Sequence, residues 1–85
     1  MKVIHTVYDL KAEAYMDPFF SHNNSTALRD FTTAANQAEH IFNTNPEDYV
    51  LVRLGTYDDD TGRIEVLPEP LHLSTALEVK GPVHD

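Results

Sequence analysis

The chain has 85 residues, with six Lys and Arg against 14 Asp and Glu, a net charge of −8 and no cysteine. These figures exclude a disulfide framework, a thiolate metal site and an evenly basic coat for nucleic acid, since an acidic surface repels phosphates over long range. An apolar fraction of 41% suffices for one small core and predicts a single domain over residues 1–80; a core of this size gains from homo-oligomerisation.

Residues 2–8 alternate as a strand, with Val3, His5 and Val7 on one face and Ile4, Thr6 and Tyr8 on the other. The start of the chain has one basic residue, Lys2, and quickly turns polar, unlike a secretory leader. No apolar run approaches the roughly 18 residues of a membrane span, so a cytoplasmic setting without membrane contact is expected. After a connection at 9–12, residues 13–20 read as a partner strand. In it Tyr15 and Phe19 oppose Ala14, Met16 and Phe20, and Pro18 marks an edge or exit.

His22, Asn23, Asn24 and Ser25 precede a helical period, with Asn24 or Ser25 as the expected N-cap. Leu28, Phe31, Ala35, Ala38 and Phe42 recur at steps of three and four, and Ala27, Ala34 and Ile41 widen the stripe. The pattern predicts one helix of about 18 residues, about 27 Å long, ending before Pro46. Residues 49–57 form a second apolar strand. Val50, Val52 and Leu54 are expected on one face, with Tyr49, Leu51, Arg53 and Tyr57 on the other. Asp58 to Gly62 is turn chemistry, and residues 63–67 return as the second arm of a hairpin that Pro68 and Pro70 stop. Beyond them Leu71, Leu73, Leu77 and Val79 alternate as an added strand, although residues 74–78 also suit a helical turn. Residues 81–85 are expected to fray.

The expected architecture is α+β in two layers: an antiparallel four- or five-stranded sheet carrying one long amphipathic helix, in the order β-β-α-β-β with room for a C-terminal strand. The chain offers little for catalysis. It lacks a cysteine nucleophile, a Gly-x-Ser-x-Gly elbow, a His-Glu-x-x-His motif and a phosphate-binding glycine loop. No two of its five histidines lie two to four residues apart, which leaves no local metal pair, and His5 reads as a hydrogen-bonded sheet residue. Asp58, Asp60 and Gly62 mimic a calcium loop, but the glycine comes one place early and Glu69 sits between two prolines. No metal, cofactor or enzymatic activity is expected.

Two surfaces are candidates for nucleic-acid contact, beside their ordinary readings as a solvated helix face and as tyrosines used in packing or a dimer contact. Arg29, Thr33, Asn36 and His40 line the helix opposite its apolar arc, a stripe free of carboxylates that can bond phosphates or base edges. Arg53 and Arg63, on the two arms of the hairpin, form a second candidate patch if tyrosines among Tyr8, Tyr15, Tyr49 and Tyr57 share the face of Arg53.

The opening Met1-Lys2, the run Val7-Tyr8-Asp9-Leu10-Lys11-Ala12, Tyr15 and Pro18-Phe19 resemble the start of gokushovirus nonstructural proteins. Ala27-x-Arg29-x-Phe31, Pro46-x-Asp48-Tyr49-x-Leu51, Leu54-Gly55-x-Tyr57-Asp58 and Thr61-Gly62 continue the likeness to about Pro70. This resemblance implies a microvirus protein made in the bacterial host cytoplasm and absent from the virion. It implies a DNA-binding role in the switch from genome replication to single-strand synthesis and packaging, with phage DNA (single-stranded) or phage replication and procapsid proteins as partners. The alternative that the acidity suggests is an adaptor that docks on the replication initiator or procapsid without touching DNA.

Overall fold

The computed structural model describes residues 1–81. In chain order it runs β1 (Lys2–Asp9), β2 (Ala14–Tyr15), β3 (Phe19–Ser21), α1 (Asn24–Ala35), α2 (Ile41–Thr44), a 3-10 turn (Pro46–Asp48), β4 (Tyr49–Asp58), β5 (Arg63–Thr75) and α3 (Ala76–Val79). The strands form one antiparallel sheet in the order β2-β1-β4-β5, with β3 pairing β1 beyond β2 along the same edge. The fold is the expected α+β arrangement of an antiparallel sheet with helices on one face.

Val7 on β1 and Leu51 on β4 are cross-strand partners, and both sink into a cluster with Ala27, Phe31 and Ala35 of α1, Phe42 of α2 and Ala76 of α3. These residues define the helix-covered face. Phe31, Phe42 and Tyr49 continue it as an aromatic run, with successive ring centroids 5.2 and 4.9 Å apart. Arg53, four residues after Tyr49 on the same strand and paired with His5, lies on this face too.

The structure corrects several expectations. The single long helix is two pieces. α1 starts one or two residues earlier than expected, with Asn23, not Asn24 or Ser25, as N-cap accepting from the Thr26 N–H at 2.8 Å. It stops at Ala35, where asparagine side chains cap its last turn: Asn36 Nδ2 joins its own backbone N–H on Thr32 O, at 2.8 Å, and Asn43 Nδ2 donates to Ala35 O at 2.9 Å. The chain then turns, and α2 begins with His40 as cap, its Nδ1 accepting from the Phe42 N–H. Ala38, expected in the core, is therefore exposed.

The predicted 13–20 strand is likewise split. Met16 N–H donates to Val7 O and Thr6 Oγ1 donates to Met16 O at 2.7 Å, so the chain buckles at residues 16–18 before β3 resumes the ladder. This buckle puts Tyr15 and Phe20 on one face, as partners of Tyr8 and Ile4.

Pro68 and Pro70 do not end β5, which runs on to Thr75 as an edge strand where a missing N–H costs no ladder bond. Among the described residues there is accordingly no separate C-terminal strand. Thr75 instead closes a capping box with Glu78, and the helical alternative is the one realised, in α3. Gly81 N–H donates to Asn36 Oδ1 at 2.6 Å; the rest of the expected frayed tail, 82–85, lies outside the described residues.

Candidate functional site

The register of the sheet decides which side chains share its helix-free face. Ile4 pairs with Gly55 but His5 pairs with Arg53, so Leu54 is an extra residue that bulges out of β4. Beyond that bulge the facing of β4 reverses. Tyr57 therefore lies opposite Arg53, against the alternation expected from sequence. Gly55 enables the close approach there, since a Cβ on it would collide with Glu65 O and stand 2.9 Å from Val66 Cα.

Cross-strand partners then map the face. One row runs Phe20, Ile4, Gly55, Val66; the next runs Lys2, Tyr57, Ile64. Thr6, Val52 and His72 form a third row, and Tyr15, Tyr8, Val50 and Thr75 a fourth. None of these paired positions is an Asp or Glu, although the chain has 14 of them. Aromatic rings gather in two pairs: Tyr8 and Tyr15 at 4.5 Å between centroids, and Phe20 and Tyr57 at 5.5 Å. Phe20, Ile64 and Val66 are 56, 56 and 74% exposed, so apolar surface is open to solvent beside Lys2. Ile4, Thr6, Val50 and Val52 share this face but are buried, so its exposed part lies at positions such as Tyr15, Phe20, Ile64 and Val66.

The residues singled out from sequence do not assemble into one surface. Arg29, Thr33 and Asn36 lie with Ser25, Leu28 and Thr32 along an open shallow groove on the outer side of α1. Arg29 is exposed and, among the described residues, has no carboxylate within ion-pair distance. Thr33 Oγ1 donates to Arg29 O, and the Asn36 amide is taken up by Thr32 O, Val79 O and the Gly81 N–H. His40 leaves the stripe because the helix has ended; its ring packs at a tilt against Phe42, with centroids 4.4 Å apart. Arg53 is half-buried and donates to Asn24 Oδ1 at 3.4 Å. Arg63 pairs across the strands with Asp58, on the face away from Tyr57 and Ile64. Tyr49, the one tyrosine on the side of Arg53, is spent on core packing against Phe42.

His5 sits fully buried beside this polar knot. Its Nε2 donates to Asn24 Oδ1 at 3.0 Å and its Nδ1 has no partner. Burial lowers its pKa from the ordinary value, the Asn24 bond partly opposes that, and the Arg53 charge lowers it further. It is a hydrogen-bonded sheet residue, as the sequence suggests. Among the described residues no group of three or more His, Asp or Glu could hold a metal ion, and no helix is long and apolar enough to cross a membrane.

Residues 2–79, from the start of β1 to the end of α3, match the family described as Phage ORF5 protein. The chain belongs to the phage ORF5 family. No curated protein and no solved structure gives a significant match. The fold of this phage ORF5 protein gathers Lys2, Tyr8, Tyr15, Phe20, Tyr57 and His72 on one sheet face, around buried Ile4, Thr6, Val50 and Val52. Three of the tyrosines were visible as candidates in the sequence. Their common face was not, because the Leu54 bulge and the buckle at residues 16–18 reset the alternation.

Proposed function

We propose that this phage ORF5 protein is a non-catalytic, nonstructural factor of the infected bacterial cytoplasm that contacts single-stranded phage DNA through its helix-free sheet face. Its place is the switch from genome replication to single-strand synthesis and packaging, the role implied by the likeness to gokushovirus nonstructural proteins. One observation carries the DNA contact: an acidic chain keeps two aromatic pairs and Lys2 on a face whose paired positions contain no carboxylate. Unpaired bases stack on such rings whatever their sequence, each contributing roughly 1–3 kcal/mol. Duplex DNA, whose bases are already stacked, gains nothing from them.

Stacking with few cations predicts a particular salt response. Each phosphate neutralised on a single strand contributes a slope of about −0.7 in log K against log salt. Lys2 is the cation of this face, so a shallow slope near that value is expected. Titration of the protein with a thymine oligonucleotide at two ionic strengths tests it. Phe20→Ala and Tyr8→Ala should each weaken binding by about tenfold, whereas Arg29→Ala should leave it unchanged. Absence of single-strand binding at low salt would overturn the proposal.

A protein adaptor is favoured by a different observation: the six Lys and Arg are scattered, with Arg53 engaged by Asn24 and Lys80 donating to Asn43 O. An acidic docking factor for the replication initiator or procapsid would need no cation cluster. It would show protein binding that Phe20→Ala leaves intact.

A further inference from the structure

A cavity on the opposite side of the sheet belongs to neither aromatic pair. Between the buckle at residues 16–18 and α1 lies an open cleft of about 230 Å³ whose apolar floor is Val7, Phe19, Phe31 and Phe42, and whose lining includes Asp17 and Asp30. Phe31, Phe42 and Val7 are core residues, so the cleft reaches the centre of the molecule rather than its skin. Asp17 and Asp30 are exposed, and among the described residues neither has a cationic partner. No Lys or Arg lines the cleft.

From this arrangement we infer that the cleft receives one large apolar side chain from a basic segment of a partner protein, with flanking Lys or Arg meeting Asp17 and Asp30. Its volume falls below the roughly 300–1,000 Å³ of small-molecule sites, yet it suits the single buried anchor on which protein interfaces turn. The carboxylates reject a phosphate chain, and Asp17 sets the cleft apart from the groove beside Lys2 and Phe20, which shares Asp30 with it. They equally disfavour a second copy of a chain of charge −8. The same net charge speeds the approach of a basic partner. The inference is independent of DNA binding by the other face.

The chain contains no tryptophan, so a tryptophan peptide reports on its own binding by fluorescence. Titration with acetyl-Arg-Trp-Arg-amide at low salt should give a saturable blue shift, and the charge-reversed acetyl-Glu-Trp-Glu-amide should give none. Asp17→Asn and Asp30→Asn should each weaken binding by roughly threefold, as expected of exposed ion pairs. Ala34→Leu, which fills the cleft from α1, should abolish it. Methyl shifts of Val7 and Ala34 in the unsubstituted protein provide a readout that does not depend on any variant folding. No blue shift with the basic peptide, equal binding of both peptides, or shifts confined to the Tyr8–Tyr15 face would overturn the inference.

Discussion

His5 shows how one position ties local chemistry to stability. Its Nε2–H is committed to Asn24 Oδ1, so the neutral ring leaves Nδ1 as a bare acceptor. Protonation would place a partnerless N–H donor there, in a buried site beside the Arg53 guanidinium. The folded pKa therefore lies below the unfolded value of about 6.5. The sign follows directly: the unfolded chain binds the proton first, so the contribution is complete above about pH 6.5 and is lost as pH falls through that value toward the folded pKa. Urea midpoints should drop between pH 7.5 and 5.5, and a His5→Gln variant should show a shallower fall. A His5 ring that is half protonated in the folded protein at pH 6.5 or above would contradict this account.

At the scale of elements, the sequence was legible wherever period and burial coincide. β1 and its alternation, the α1 core positions Ala27, Phe31 and Ala35, and the hairpin turn with Gly62 at positive φ all follow from pattern and turn chemistry. What escaped was set by side-chain competition for backbone groups. Asn36 and Asn43 cut a helix whose apolar period runs on to Phe42, and the Thr75–Glu78 box turned an alternating segment into α3. Bulges escaped as well, because one added residue leaves no mark in composition yet inverts the facing beyond it. Gly55 is the exception that can be read afterwards, since it permits β5 to approach where Leu54 bulges. Gly55→Ala should force β5 outward and cost about 1–3 kcal/mol by overpacking. The check is a lowered urea midpoint together with shifted Tyr57 and Ile64 resonances; a change below about 0.5 kcal/mol would show that the approach is not tight.

For the whole molecule, the two faces of the sheet divide the labour. The covered face spends Phe31, Phe42 and Tyr49 on cohesion and leaves a cleft beside Asp17 and Asp30. The other face keeps Tyr8, Tyr15, Phe20 and Tyr57 in two pairs. Net charge alone describes neither side, because the register withholds all 14 carboxylates from the paired positions of the second face. The candidate stripe on α1 is the competing surface for nucleic acid, and it places Arg29 on the far side of the helical layer. The most direct test is therefore an NMR titration of the labelled protein with a short thymine oligonucleotide, following aromatic and backbone resonances together. The account predicts ring-current shifts at Tyr8, Tyr15, Phe20 and Tyr57 with α1 unmoved; shifts centred on Arg29 and Thr33, with the four rings silent, would contradict it.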